Sequence, residues 1–223
     1  MQPLPHGYTN DTRSDGSTVV KLYQGPHRES RRSTERAVLS RLAGVVPVPR
    51  LIAAPAGALW MEHVSGIHGQ ELISAGHAAA VLRSCGQMLR KLQAVNAAAV
   101  LPDMPHEPRS VVVHGDYGPN NMLFDPVTFA VSAILDWEWA HLGDPVEDVA
   151  WCEWIIRTHH PEAVDALEYL FAGYGSRPPW ADRQASALAK CRSMLALPRE
   201  GGAAASGARR WQQRVEATAA WAE

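Results

Sequence analysis

Residues 111–148 read VVVHGDYGPNNMLFDPVTFAVSAILDWEWAHLGDPVED, an alternation of apolar runs with acid-bearing turns around which the rest of the chain is organised. Val111–Val113 is a short β-branched run, the pattern of a buried strand. It opens into a polar loop in which His114, Asp116 and Asn121 stand as H-x-D-x-x-x-x-N. Asn121–Phe124 and Ala130–Leu135 are two further apolar runs around the turn formers Asp125-Pro126, a hairpin that aims Asn121 and Asp136 at one point. Two carboxylates and an amide in such a hairpin form an oxygen-rich set, suited to a hard cation and to the proton of a hydroxyl. Asp144 then reads as the cap of a helix opening at Pro145.

HGDYGPNNMLFDP followed by ILDWEWAHLGDPVEDVA resembles the aminoglycoside phosphotransferase family, which also takes in choline-kinase-like enzymes. Catalytic loop, hairpin, D-W-E and G-D-P-x-x-D-x-A occur in the family's order. The resemblance implies an α+β, protein-kinase-like bilobal fold with a small β-containing N-lobe and a mainly helical C-lobe. It implies transfer of the γ-phosphoryl group of ATP, or GTP, to a hydroxyl of a small molecule with Mg2+. By the same match Asp116 accepts the hydroxyl proton, while Asn121 and Asp136 hold the metal. His114 braces the loop, and Asp148 holds the loop's backbone. A metal-dependent hydrolase could use His114, Asp116 and Asp136 as well; the order and spacing favour a phosphotransferase. Asp136-Trp137-Glu138 reaches Gly143-Asp144-Pro145 almost at once, which leaves no room for a peptide-binding platform and favours small acceptors, among them aminoglycosides, choline and sugar derivatives.

Upstream, residues 1–15 are polar and turn-rich, and Ser17–Tyr23 reads as a strand carrying Lys21. Alone, Lys21 would be a solvent-facing strand lysine. The resemblance instead pairs it, across the ATP phosphates, with an acid on the following helix, His27–Ala43. Glu35 is preferred over Glu29 because it directly precedes the apolar side formed by Val38, Leu39 and Leu42. Arg28, Arg31, Arg32 and Arg36 are expected on the solvated side of that helix. Pro47 and Pro49 keep residues 45–50 extended. Ala58–Val64 resembles the family's inter-lobe hinge, which implies that the backbone of Glu62 and Val64 binds the adenine edge, with Trp60 and Met61 bordering the purine. The expected division is therefore 1–64 for the nucleotide lobe and 65–223 for the catalytic and acceptor lobe. No G-x-G-x-x-G occurs; residues 7–10 are the one candidate for a phosphate-covering loop, and the N-terminal strand is expected to be short or missing. A nucleotide-binding regulatory module without turnover is the alternative this shortening suggests.

Downstream, Val81, Cys85, Met88, Leu92 and Val95 mark a helix over residues 74–96. Further helices follow around residues 164–171 and 185–195. A Gly/Ala/Ser stretch at 201–208 is expected to precede a last one carrying Trp211. The acids Glu138, Asp144, Glu147, Asp148 and Glu153 suggest an acidic cleft mouth and a cationic acceptor. A net charge of −2 in 223 residues argues against a nucleic-acid partner. Three well-separated cysteines suit packed, reduced thiols, and the absence of a leader or an apolar span points to a cytoplasmic location.

Overall fold

Strand-forming and helix-forming segments separate along the chain, and the computed structural model separates them in space in the same way. It describes residues 1–4, 10–105, 107–197 and 203–223, with residues 203–205 described as backbone alone. The candidate phosphate-covering residues 7–9 lie outside the described residues.

The first part is an antiparallel sheet in the order β1 (Gln2–Pro3), β2 (Asp11–Ser14), β3 (Thr18–Leu22), β5 (Ala58–Glu62), β4 (Leu51–Ala53). Two short strands thus precede β3, within the polar residues 1–15 where the N-terminal strand was expected to be short or missing. The β2–β3 hairpin closes at Gly16, whose φ of +88° suits a residue without a side chain. Asp15 takes the backbone N–H groups of Ser17 and Thr18 and the Ser17 hydroxyl on one carboxylate oxygen. Period-two alternation sets the faces. Lys21 pairs with Leu59, and both are buried; Val20 pairs with Trp60, which is 43% exposed on the outer face.

Helix α1 (Arg28–Leu42) buries Glu35, Val38, Leu39 and Leu42. Arg31 and Arg32 are buried too, against the expected solvated side. Each has found acceptors: Arg31 pairs with Glu138 and bonds the Gln24 carbonyl, and Arg32 reaches Glu29 and the Pro55 carbonyl. A buried guanidinium requires such partners.

Beyond β6 (Ile67–His68) and α2 (Gly69–Ser74), the chain turns at Gly76, with φ +91°. Helix α3 therefore starts at Ala78 and runs to Gln93, rather than beginning at Ser74. A short α4 (Ala97–Val100) leads to β7 (Val111–Val113), followed by the hairpin β8 (Met122–Phe124) and β9 (Val131–Ile134) and by β10 (His141–Gly143). β6 joins the hairpin, and β10 pairs with β7. Helices α5 (Val146–His159), α6 (Leu167–Tyr174), α7 (Trp180–Ala196) and α8 (Ala203–Ala220) complete the fold. Helix α8 begins inside the Gly/Ala/Ser stretch, because alanine is the strongest helix former and needs no apolar stripe to signal it.

One apolar cluster runs from Val38 and Leu59 through Leu82 and Leu89 to Met122, Trp137 and Leu170. A second holds Trp151, Trp154 and Cys191, with Trp211 and Val215 of α8 against it. All three cysteines are buried and free. Among the described residues, no helix is long and apolar enough to cross a membrane.

Candidate active site

The loop after β7 is held from below by a buried acid. Asp148, on the first turn of α5, is fully buried and accepts the N–H of His114 at 2.7 Å and that of Gly115 at 3.0 Å. Burial pushes its carboxyl above the usual range, opposed by His114 and by these two N–H groups. Gly115 has φ +80°, and a Cβ there would lie 2.5 Å from the Trp139 carbonyl oxygen, so the loop needs glycine at this point. His114 is also fully buried. Its Nδ1 accepts from the Asp116 N–H at 3.1 Å and its Nε2 faces the Leu135 carbonyl at 2.8 Å, so the proton sits on Nε2. The ring is committed to bracing the loop against β9.

Asp116 and Asn121 meet directly. The Asn121 amide nitrogen donates to Asp116 Oδ2 at 2.8 Å and to the Asp116 carbonyl at 2.9 Å. The indole nitrogen of Trp151 donates to Asp116 Oδ1 at 2.7 Å. Backbone bonding between Leu135 N–H and the Asn121 carbonyl, at 2.8 Å, sets Asn121 beside the end of β9, where Asp136 begins the next turn.

Asp136 has φ +63°, a left-handed conformation rare for a residue with a side chain. Lys21 holds it there: Nζ lies 2.6 Å from Asp136 Oδ1, 2.6 Å from Glu35 Oε2 and 3.4 Å from Glu138 Oε2. Glu29 is engaged with Arg32 instead. Burial alone would lower the Lys21 ammonium, but Asp136, Glu35 and Glu138 outweigh it and hold Lys21 raised. Burial likewise works against the Asp136 carboxylate, and Lys21 overcomes it, keeping Asp136 below the usual range. Glu35 also takes the Trp137 N–H and the Tyr23 hydroxyl. Glu138 is 3% exposed and bonds Asn10 at 2.7 Å and Arg31 at 2.9 Å; burial pushes its carboxyl up.

Two hollows flank this arrangement. A cavity of about 320 Å³ is lined by Lys21, Glu35, Met61, Glu62, His63, Val64, Asn121 and Asp136. Trp60 does not line it, since it faces outward from β5. A larger hollow of about 650 Å³, bounded by Gly115, Asp144, Glu147, Trp151, Asp182 and Lys190, lies along α5 and α7. Asp116 adjoins both through its partners: Asn121 lines the first, and Trp151 and the neighbouring Gly115 line the second. Glu138 and Glu153 are not at the mouth. Both are buried, with Glu153 paired to Arg157 and Arg183.

Carboxylate and amide oxygens at Asp136 and Asn121 are the donor chemistry a small hard cation takes. The carboxylates of Glu35, Asp136 and Glu138 offer oxygens within 4.8 Å of one another; of these the sequence reading made Asp136 a metal ligand, with Asn121, and Glu35 the partner of Lys21. Glu138 and Trp151 were the residues missed. Trp151 stands three places after Asp148 on a helix, hence on the same face, and that spacing was its signal.

In comparison with known proteins, a 48-residue stretch is 46% identical to acyl-CoA dehydrogenase family member 10 of Mus musculus, covering 22% of this chain and 4% of that protein. A 54-residue stretch is 43% identical to viomycin phosphotransferase of Streptomyces vinaceus, covering 23% of this chain and 18% of that protein. The matched stretches thus span less than a fifth of either curated relative. The solved structure of the GDP complex of aminoglycoside 2'-phosphotransferase-IIIa superposes over 97% of this chain and 91% of that one, with a TM-score of 0.73 at 13% identity, and this likeness gives the fold as the bilobal one of those enzymes. The sequence pattern of the phosphotransferase enzyme family matches residues 1–108 and 96–189, and on that match the chain belongs to this family.

Proposed function

We propose that the protein transfers the γ-phosphoryl group of ATP to a hydroxyl of a small molecule, an aminoglycoside-type or related antibiotic being the acceptor class its relatives suggest. The observation that carries this reading is Asp116, set between a cavity holding Lys21, Asn121 and Asp136 and a separate hollow large enough for a small ligand. Residues 1–64 serve as the nucleotide lobe and the remainder as the catalytic and acceptor lobe. Backbone groups of Glu62 and Val64 receive the purine edge, and Lys21, steadied by Glu35, meets the phosphates. Asp136 and Asn121 would hold Mg2+, which supplies charge neutralisation at the phosphate oxygens when bound.

The acceptor enters the second hollow and presents a hydroxyl to Asp116. Its O–H proton passes to a carboxylate oxygen as the new O–P bond forms, and the bond from the γ-phosphorus to the leaving oxygen of ADP breaks. His114 and Asp148 keep the loop in place for this step. Asp144, Glu147 and Asp182 line the hollow and favour amine-bearing acceptors, opposed by Lys190. Glu138 and Glu153, being buried, contribute nothing to that preference. A cytoplasmic location fits the use of a nucleoside triphosphate. GTP is kept as an alternative donor because a solved relative holds GDP.

Phosphate transfer from ATP and from GTP to a panel of amine-bearing antibiotics, choline and neutral sugars tests the proposal. Turnover of amine-bearing acceptors that weakens as salt rises is expected. Tight Mg·ATP binding with no transfer to any acceptor would mark a regulatory nucleotide-binding module instead, and steady hydrolysis without an acceptor would mark a hydrolase.

A further inference from the structure

The carboxylate assigned to the hydroxyl proton has two donors, and only one of them, Asn121, belongs to its own loop. The other comes from α5. Trp151 Nε1 donates to Asp116 Oδ1 at 2.7 Å, while Asn121 Nδ2 holds Oδ2 at 2.8 Å. Resting on the reading of Asp116 above, we infer that Trp151 is a positioning residue for phosphoryl transfer, its indole N–H fixing the orientation of the Asp116 carboxylate towards the acceptor hollow.

A carboxylate turns easily about its last side-chain torsion, which has broad minima. A single bond at Oδ2 leaves Asp116 a pivot; a second bond at the opposite oxygen removes it. Indole N–H is a donor only, so Trp151 neither competes for the proton nor takes it. A carboxylate offers about four lone-pair sites. The two side-chain bonds therefore leave room for the acceptor hydroxyl.

The donor is itself immobile. Trp151 is 6% exposed and stacks on Trp154 with centroids 4.4 Å apart and planes 3° from parallel. Trp211 of α8 stacks on both at 6.4 and 5.9 Å, and Trp154 is pinned by its bond to the Thr218 hydroxyl at 2.9 Å. The orientation of Asp116 is thereby referred to helices α5 and α8 as well as to its own loop. An indole that merely needed an acceptor would leave catalysis indifferent to its loss, and this difference can be measured.

Trp151→Phe keeps an aromatic ring, though a smaller one, at the stack and removes the donor. With Mg·ATP and viomycin or kanamycin as acceptor, kcat should fall roughly 10- to 100-fold, the scale of one charge-assisted bond, while KM for ATP stays at its wild-type value. In an Asp116→Asn background the same change should cost no further activity, since the group it acts through is gone. Wild-type kcat in Trp151→Phe, or an equal loss in both backgrounds, would overturn the inference. A second readout needs no turnover. The indole ¹H–¹⁵N resonance lost in Trp151→Phe should shift in Asp116→Asn and exchange slowly with solvent in the wild type; a resonance that ignores Asp116→Asn also defeats the inference. If the wild type phosphorylates none of these acceptors, the transferase reading fails. If it does, with Asp116→Asn inactive and Trp151→Phe fully active, this inference alone falls.

Discussion

Asp116 and Asp136 keep different hydrogen-bond company, so the same substitution should do different things at each. Asp116 is bonded by neutral donors, Trp151 and Asn121, and Asp136 by the Lys21 ammonium. Asp116→Asn should leave Mg·ATP binding near normal while the single-turnover rate falls by about 10²–10⁴. Asp136→Asn should weaken ATP binding and turnover together, and raised Mg2+ should restore it in part. ATP affinity and single-turnover rate across a Mg2+ series separate the two; rescue of Asp116→Asn by metal would show the roles reversed. Lys21→Ala strips the cation from three carboxylates, so Tm should drop along with a roughly 10- to 1,000-fold loss in ATP use. Normal Tm and unchanged ATP affinity in that variant would remove Lys21 from the nucleotide site. The Lys21–Glu35 contact was legible through the family resemblance, which pairs a strand lysine with an acid on the following helix; on its own Lys21 reads as a surface lysine. Glu138 was not, since its partner Arg31 stands 107 residues away and both read as surface charges.

Elements were legible wherever an apolar stripe recurred and obscure where close packing needs no side chain. Helix α3 announced itself through Val81, Cys85, Met88 and Leu92, yet its tightest contact is made by a glycine. A Cβ on Gly86 would sit 2.1 Å from the Leu170 carbonyl oxygen of α6, and one on Gly173 would sit 2.1 Å from the Arg83 carbonyl of α3. The obstacles are backbone atoms, so neither helix can yield by rotating a side chain. Gly86→Ala should therefore cost at least the usual 1–3 kcal/mol of overpacking, despite the better helix propensity of alanine. Urea melts of the variant check this, and an unchanged or raised midpoint would contradict the close helix crossing. Nothing in a single sequence distinguishes such a glycine from one that ends a helix, as Gly76 does before α3.

At the scale of the whole molecule, stability should respond to pH through His141, whose two ring nitrogens face acceptors on separate elements. Nε2 lies 2.9 Å from Glu147 of α5, and Nδ1 lies 3.0 Å from the Trp139 carbonyl. The bond to Glu147 raises the imidazole above its usual 6.5. A raised folded-state value means that the charged ring stabilises the fold fully below about pH 6.5, and that this is lost as pH climbs through the higher folded value. The Tm gap between wild type and His141→Gln should thus be widest below about pH 6.5 and narrow as pH rises above it; a gap that is constant or grows would reverse the sign. Both side chains are over a third exposed, which keeps the effect modest. The α+β class was readable through the family resemblance that residues 111–150 carry, whereas the second hollow was not, because α5 and α7 meet there without any shared sequence pattern. The tryptophan stack has an optical corollary. Trp151 lines the second hollow, and among the described residues no tryptophan lines the Lys21 cavity. Two parallel indoles 4.4 Å apart couple their transitions, so a solute seated against Trp151 should perturb near-ultraviolet circular dichroism and emission directly. Occupancy of the second hollow should thus be followed without a label, through the stacked indoles themselves.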